Sequence, residues 1–234
     1  MPLLSALPLF STPPGLDLQL LIAGLWLGLV LLATEAVSRF SNASPEVVRK
    51  VLHMGAGNVI LLAWWLQIPA WIGIAASVVA STIALLSYHF PILTSVNGIG
   101  RHSWGTFFYA VSIGILVAWF WPLQQPQYAA LGILVMTWGD GMAALIGQRF
   151  GRHPYQVWGM QKSWEGSLAM VLTSWTICSL ILLGVQANLW EMVWIPLAVA
   201  AVATLLETFS KLGIDNLTVP LGSAALAFAL GSLL

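Results

Sequence analysis

The stretch WGDGMAALIGQRFGRHPYQVWGMQKSWEGS, residues 138–167, contains Asp140, Arg149, Arg152, Lys162 and Glu165, although only 7% of the 234 residues are charged. Carboxylates interleaved with lysine and arginine can hold a divalent cation or an anion, and in so apolar a chain each needs a task. Asp140, beside Gly139, has two readings: a ligand for Mg²⁺, or the partner of a nearby arginine. Lys162 and Ser163 open a new apolar run between Gly159 and Gly166. Such a start suits a phosphate, because free backbone N–H groups, the positive end of the helix dipole and an ammonium converge there. Ser163 serves equally well as a helix N-cap, with Glu165 favourable in the first turn. Capping leaves Lys162 unexplained, since a cation at a helix start opposes the dipole. The G-x-x-x-x-G-K-[ST] pattern of a Walker A loop occurs nowhere, and the protein-kinase motifs are absent.

Further polar clusters punctuate the apolar sequence. SPEVVRKVLH supplies an N-cap, Ser44, and a proline at the first helical position, Pro45, followed by Arg49, Lys50 and His53. Arg49 and His53 are four apart and share a helix face, whereas Glu46 and Lys50 read as a simple ion pair. Asn58, deeper in the same run, either bonds between helices or meets a substrate head group. NGIGRHSWGTFFY brings Arg101 to a helix entrance, as an interface anchor or as an anion ligand. ETFSKLGIDNLTVP sets Glu207 and Lys211 at i,i+4, with Gly213 as a helix stop and Asp215 or Asn216 beyond it, capping or catalytic. Gly139, Ala143, Gly147 and Gly151 recur every four residues, a small-residue stripe that lets a neighbouring helix approach closely.

The elements that carry these residues follow from composition. The chain is 59% hydrophobic, with mean hydropathy +0.89, thirteen Trp and no net charge. A soluble domain is roughly a quarter charged. Apolar runs predict eight transmembrane helices at about 18–38, 45–66, 69–87, 104–121, 129–147, 165–185, 190–209 and 216–233. The expected fold is an all-α, polytopic integral membrane bundle forming one domain over 1–234. The segment 1–17 has no Lys or Arg before its apolar residues, so it lacks the basic region of a secretory signal and is expected as a short non-cytoplasmic segment. Cys178 stands alone mid-span, a packing residue that forms no internal disulfide.

On the eight-span pattern all eight Lys and Arg fall on one side, which the positive-inside rule makes cytoplasmic, with both termini opposite. Glu35, Glu46, Asp140, Glu165, Glu207, Asp215 and the four histidines share that side; only Asp17 and Glu191 do not. Orientation alone needs a few basic residues, not six acids beside them. A polar functional crater at the cytoplasmic membrane face is therefore expected, in a bacterial inner membrane or a thylakoid.

RKVLHMGAGN, GRHSWGTFFY, GDGMAALIGQRFG, KSWEGS and GIDNLTVP, in that order over residues 49–220, resemble the polyprenol kinase family, and most of all its phytol kinases. The resemblance implies CTP-dependent phosphorylation of a membrane-embedded isoprenoid alcohol, assisted by Mg²⁺, with membrane lipids as surroundings and no nucleic-acid partner. It implies that Lys162, Ser163, Arg49, Lys50, Arg101 and Arg149 bind the nucleotide phosphates. Asp140, Glu165 and Asp215 would hold the metal. Asp140, Glu207, Asp215 or His53 would act on the alcohol hydroxyl, with Asn58 and Asn216 near the head group. The D-x-x-A-x-x-x-G…KSWEG portion is also similar to CTP-using cytidylyltransferases, whose terminal H-G-G-x-x-D-R-x-D signature is missing here. A transporter is the alternative from another class; it would place its charges near the bilayer midplane rather than at one end.

Overall fold

A computed structural model describes residues 13–89 and 104–233. Its helices are α1 (Leu16–Phe40), α2 (Pro45–Gly57), α3 (Val59–Trp65), α4 (Ala70–His89), α5 (Gly105–Phe120), α6 (Pro126–Leu134), α7 (Gly141–Phe150), α8 (Trp164–Gly184), α9 (Leu189–Thr208) and α10 (Asp215–Leu233). A π-helical turn, Val135–Asp140, joins α6 to α7, and a two-stranded antiparallel hairpin, β1 (Pro154–Val157) and β2 (Met160–Ser163), precedes α8. The chain is an all-α polytopic membrane bundle. Among the described residues six helical segments are long and apolar enough to cross a membrane, and α5 is a shorter apolar helix. The remaining expected span, 45–66, is broken at Asn58 into α2 and α3.

Lipid offers backbone groups no hydrogen bonds, so helix ends within the bundle must be closed by the protein itself. Ser44 caps α2 and Ser163 caps α8, as their sequences predict. Asn188 and Glu191 form a reciprocal capping box on α9, which accounts for one of the two acids on the otherwise uncharged side. At the C-terminal ends of α3, α5 and α8 the chain turns through Gln67, Gln124 and Gln186, each with φ near +56°. The next amide reaches back each time, Ile68 N–H to Ala63 O, Gln125 N–H to Phe120 O and Ala187 N–H to Leu182 O. These are left-handed helix closures made without the usual glycine, and so carry no obvious sequence mark.

α6 and the π turn form the buried centre, while α1 lies at the periphery. Leu131, Ile133, Val135 and Met136 pack with Phe120, Met170, Val199 and Val219 from the surrounding helices. The small-residue stripe does what its spacing predicts. A Cβ on Gly139 would sit 2.6 Å from Met170 Sδ, and one on Gly166 would sit 2.8 Å from Ala143 O, so α7 and α8 meet nearly backbone to backbone. Gly132 plays the same role toward α10, where Pro220 lacks an N–H and its carbonyl leans on α6.

A methyl group at Gly132 would run into the Pro220 carbonyl oxygen and lie 2.9 Å from Ala224 Cβ. Backbone cannot rotate aside as a side chain can. Gly132→Ala is expected to destabilise the bundle by about 1–3 kcal/mol, read as a lower Tm in detergent. Gly24→Ala, whose Cβ would meet nothing within 4 Å, is the matched control and leaves Tm unchanged or slightly raised.

Candidate active site

The site is organised by one face of α2. Lys50, Met54 and Gly57 are spaced i, i+4, i+7, so they line one stripe of the helix. That stripe lies against the π turn and the start of α7: Lys50 Nζ bonds the Asp140 carboxylate, Met54 Sδ lies where a Gly141 Cβ would fall, and Gly57 lets Thr137 and the Tyr109 hydroxyl approach. The sequence spacing favours the adjacent face, Arg49 and His53, and pairs Lys50 with Glu46. The structure reverses that pairing. Arg49 forks onto Glu46 at 3.1 and 2.6 Å, while the Lys50 and Asp140 side chains are only 5% and 9% exposed and hold each other. Asp140 thus does have a basic partner, a lysine rather than an arginine.

The π turn gives Asp140 its aim. One extra residue per turn rotates everything that follows by about 100° relative to a plain α-helix. Thr137 turns its hydroxyl back onto the Ile133 carbonyl, a bond that competes with regular helical pairing and accompanies the distortion. His53 is enclosed beside it, with Nε2 3.0 Å from Met136 Sδ and its ring 4.0 Å from the Tyr109 ring. Tyr109 and Met136 were not singled out in the sequence; they lie 56 and 83 residues from His53, and no local pattern joins them.

A second ion pair closes the other side. Lys162, on β2, reaches the C-terminal end of α9, where its ammonium donates to the Glu207 carboxylate at 2.5 Å and to the Glu207 carbonyl at 2.6 Å. A cation at that end is favoured by the helix dipole, so Lys162 gains there what it would lose at the start of α8. Asp215, at the start of α10, lies near enough for its charge to act with those of Asp140, Glu207, Lys50 and Lys162. Asn216, buried and expected near the head group, instead donates to Asp215 Oδ1 at 3.2 Å and to the Gly213 carbonyl at 3.1 Å. Ser210 Oγ accepts the Asp215 N–H at 2.5 Å. The charged ends of α2, α7, α9 and α10 and the hairpin therefore converge.

The start of α8 is closed rather than open. Ser163 Oγ accepts the Gly166 N–H at 3.1 Å, and the Trp164 N–H is donated to the His153 carbonyl at 3.1 Å. Glu165, expected as a metal ligand, accepts from His153 Nδ1 at 2.6 Å and from its backbone N–H, on the exposed side of the hairpin. Arg149 is exposed in the last turn of α7, its guanidinium 5.6 Å from the Phe150 ring centroid. Arg101 lies outside the described residues. Glu207 is taken by Lys162 rather than by Lys211, whose ammonium stands 5.8 Å over the Trp158 ring. The apolar runs leave residues 148–164 between two spans, and the structure folds Pro154–Val157 and Met160–Ser163 of that stretch into the hairpin. Trp158 and Gly159, at φ 48° and 76°, form a two-residue turn of the kind usually marked by Asn-Gly, and Trp158 rests on Phe209. Asn58 bonds between helices, accepting from Trp138 Nε1 at 3.1 Å while donating to the Met54 carbonyl at 3.0 Å.

Comparison with known proteins places the chain in a family. No family profile and no solved structure matches the chain. A phytol kinase of Synechocystis sp. is 52% identical over 222 residues, covering 94% of this chain and 95% of the relative. The chain belongs to the polyprenol kinase family. A probable chloroplastic phytol kinase of Triticum aestivum is 27% identical over 220 residues, 85% of this chain and 72% of that one. A chloroplastic farnesol kinase of Arabidopsis thaliana is 28% identical over 142 residues, 53% of this chain and 44% of its own length. The chain is thus an enzyme of the alcohol-phosphorylating kind, and kinase chemistry is the frame for its paired lysines and carboxylates.

Removing one partner of a buried pair leaves an uncompensated charge, whereas replacing both removes the desolvation penalty as well. Lys50→Met is therefore expected to destabilise this kinase by about 3–5 kcal/mol, and Lys50→Met/Asp140→Leu to restore most of that stability. Thermal unfolding of the two variants in detergent makes the comparison. Equal Tm values would show that the pair contributes nothing of the kind.

Proposed function

We propose that the protein is a CTP-dependent kinase that phosphorylates phytol or a related isoprenoid alcohol, with Mg²⁺, at the cytoplasmic membrane face. The observation that carries this reading is the convergence of Lys50 and Lys162 with Asp140, Glu207 and Asp215 at one end of the bundle. Phosphoryl transfer asks for positioning and charge neutralisation more than for covalent chemistry, and this cluster holds both signs of charge ready for exchange. Each ammonium rests on a carboxylate. A triphosphate competes for the ammoniums, because its oxygens offer more negative charge than one carboxylate does. Lys162 and Lys50 then neutralise phosphate oxygens, and Glu207 and Asp140 are released.

A freed carboxylate, Glu207 or Asp140, accepts the hydroxyl proton as the alcohol oxygen forms its bond to the γ-phosphorus. The bond between that phosphorus and the β–γ bridging oxygen breaks, and cytidine diphosphate leaves with its electron pair. Asn216 keeps Asp215 oriented throughout. Among the described residues no three His, Cys, Asp or Glu form a metal-binding group. Mg²⁺ does not require one, since it keeps several waters and binds through one or two carboxylates plus the substrate's phosphates. Asp140 and Asp215 are the hard oxygen donors that fit that set, and the ion would supply neutralisation of charge on the transferring phosphoryl group. The basic residues gathered at this end favour its cytoplasmic placement, in a bacterial inner membrane or a thylakoid. CTP then arrives from water and the alcohol from the bilayer.

The test is label transfer by purified protein in detergent, with Mg²⁺, phytol and CTP labelled at the γ-phosphate. Label is expected in a lipid monophosphate, abolished by chelation and restored by added Mg²⁺. Lys162→Ala and Asp140→Asn are expected to lose at least about a hundredfold in rate while remaining inserted in the membrane. Absence of label in every isoprenoid alcohol tried, or full activity in both variants, overturns the reading.

A further inference from the structure

A groove of about 500 Å³ opens on the flank of the bundle between the α2–α3 junction, the π turn with α7, and the middle of α8. Its volume lies within the roughly 300–1,000 Å³ usual for a small-molecule site. Its walls are spaced as helices dictate. Trp138 and Met142 are four apart on the segment that carries Asp140 between them, and Thr173, Thr176 and Leu180 follow one face of α8. The lining is overwhelmingly apolar, and Leu180 and Trp138 present their outer sides to the surroundings. In a membrane bundle those surroundings are lipid, so the groove is open to the hydrocarbon and closed toward the core.

Its polar residues are Thr173, Thr176 and one amide, Asn58. Asn58 lines the groove, anchored by its bonds to Met54 O and Trp138 Nε1. A primary amide has two N–H donors and two acceptor lone pairs, and these bonds use one of each. Asn58 also marks the break between α2 and α3, eight residues or about 12 Å of helix rise along α2 from Lys50. The groove therefore begins where α2 ends, at Asn58, and follows the π turn and α7 through Trp138 and Met142, the residues on either side of Asp140 in the chain.

We infer that this groove holds the isoprenoid chain of the acceptor alcohol, lying between α8 and the π turn with its hydroxyl end directed along α2 toward Asp140. The inference rests on the kinase reading above for the acceptor's class, and it adds where that acceptor is held and by which residues. A branched, unsaturated hydrocarbon gains dispersion contacts from the Trp138 ring and the flexible Met142 thioether, which adapt to methyl branches. The position of Trp138 and Met142 on either side of Asp140 in the chain favours a substrate chain over an ordinary acyl chain, because only the substrate must present a hydroxyl near that carboxylate. Chain-length preference then resides in α8, at Thr173, Thr176 and Leu180.

Two experiments test this. Phytol carrying a diazirine at its tail is irradiated with the unmodified protein in nanodiscs. Adducts are expected between Leu172 and Ile181, suppressed by excess unlabelled phytol. Adducts elsewhere, or adducts that excess phytol does not suppress, mean that bulk lipid covers the groove and overturn the proposal. Thr176→Trp fills the groove from its lipid side. The ratio of kcat/KM for phytol to that for a single-isoprene alcohol is expected to fall about tenfold, and an unchanged ratio overturns the proposal. Should the unmodified protein phosphorylate no isoprenoid alcohol at all, the kinase reading fails, and cross-linking alone decides the groove.

Discussion

The buried pair between Lys50 and Asp140 is the constraint around which the rest of the molecule is arranged. Neither charge is tolerable alone in a medium of low polarity, so wherever α2 goes the π turn must follow. The surrounding residues make that approach possible. Gly57 on α2 leaves room for Thr137, Gly141 on α7 leaves room for Met54, and the π turn rotates Asp140 into reach. Behind it, the stripe of Gly139, Ala143 and Gly147 lets α8 come as close on the other side. The centre of the bundle is thus a helix of small and distorted character held between two close neighbours.

The second pair, Lys162 with Glu207, solves a different problem. The β-hairpin is the only strand structure among the described residues, and it stands outside the helices. Its attachment is by charge and by aromatic contact: Lys162 onto the end of α9, Trp158 onto Phe209, and Tyr155 onto Trp164 with its hydroxyl 2.6 Å from Ser167 Oγ. A small exposed element fixed in this way can move without disturbing the apolar core, since its contacts lie at the rim.

Charge segregation is the simplest link between fold and activity. The uncharged end of the bundle is closed by left-handed glutamine turns and by the Asn188–Glu191 capping box, which keep backbone groups satisfied with little formal charge. The opposite end collects ammonium and carboxylate groups from segments far apart in the chain. An alternating path of helices delivers every second connection to the same face, so residues near positions 50, 140, 162, 207 and 215 meet although no local signal relates them.

Composition and spacing alone determined the membrane class, the family resemblance, the caps at Ser44 and Ser163 and the glycine stripe. These depend on local patterns that recur at the helical period or on the cost of charge in lipid, and both can be read along a chain. Only the tertiary structure decided the partners. Lys50 turned from Glu46 to Asp140, Arg49 took Glu46, and Lys162 crossed from the start of α8 to the end of α9. Glu165 and Arg149 stayed at the exposed rim, and the expected phosphate-binding start of α8 was closed by its own cap and by His153. The reason is geometric. A sequence states which side chains carry charge, but a π turn, a break at Asn58 and a two-residue hairpin turn set their direction, and each depends on packing between segments that only the folded bundle brings together.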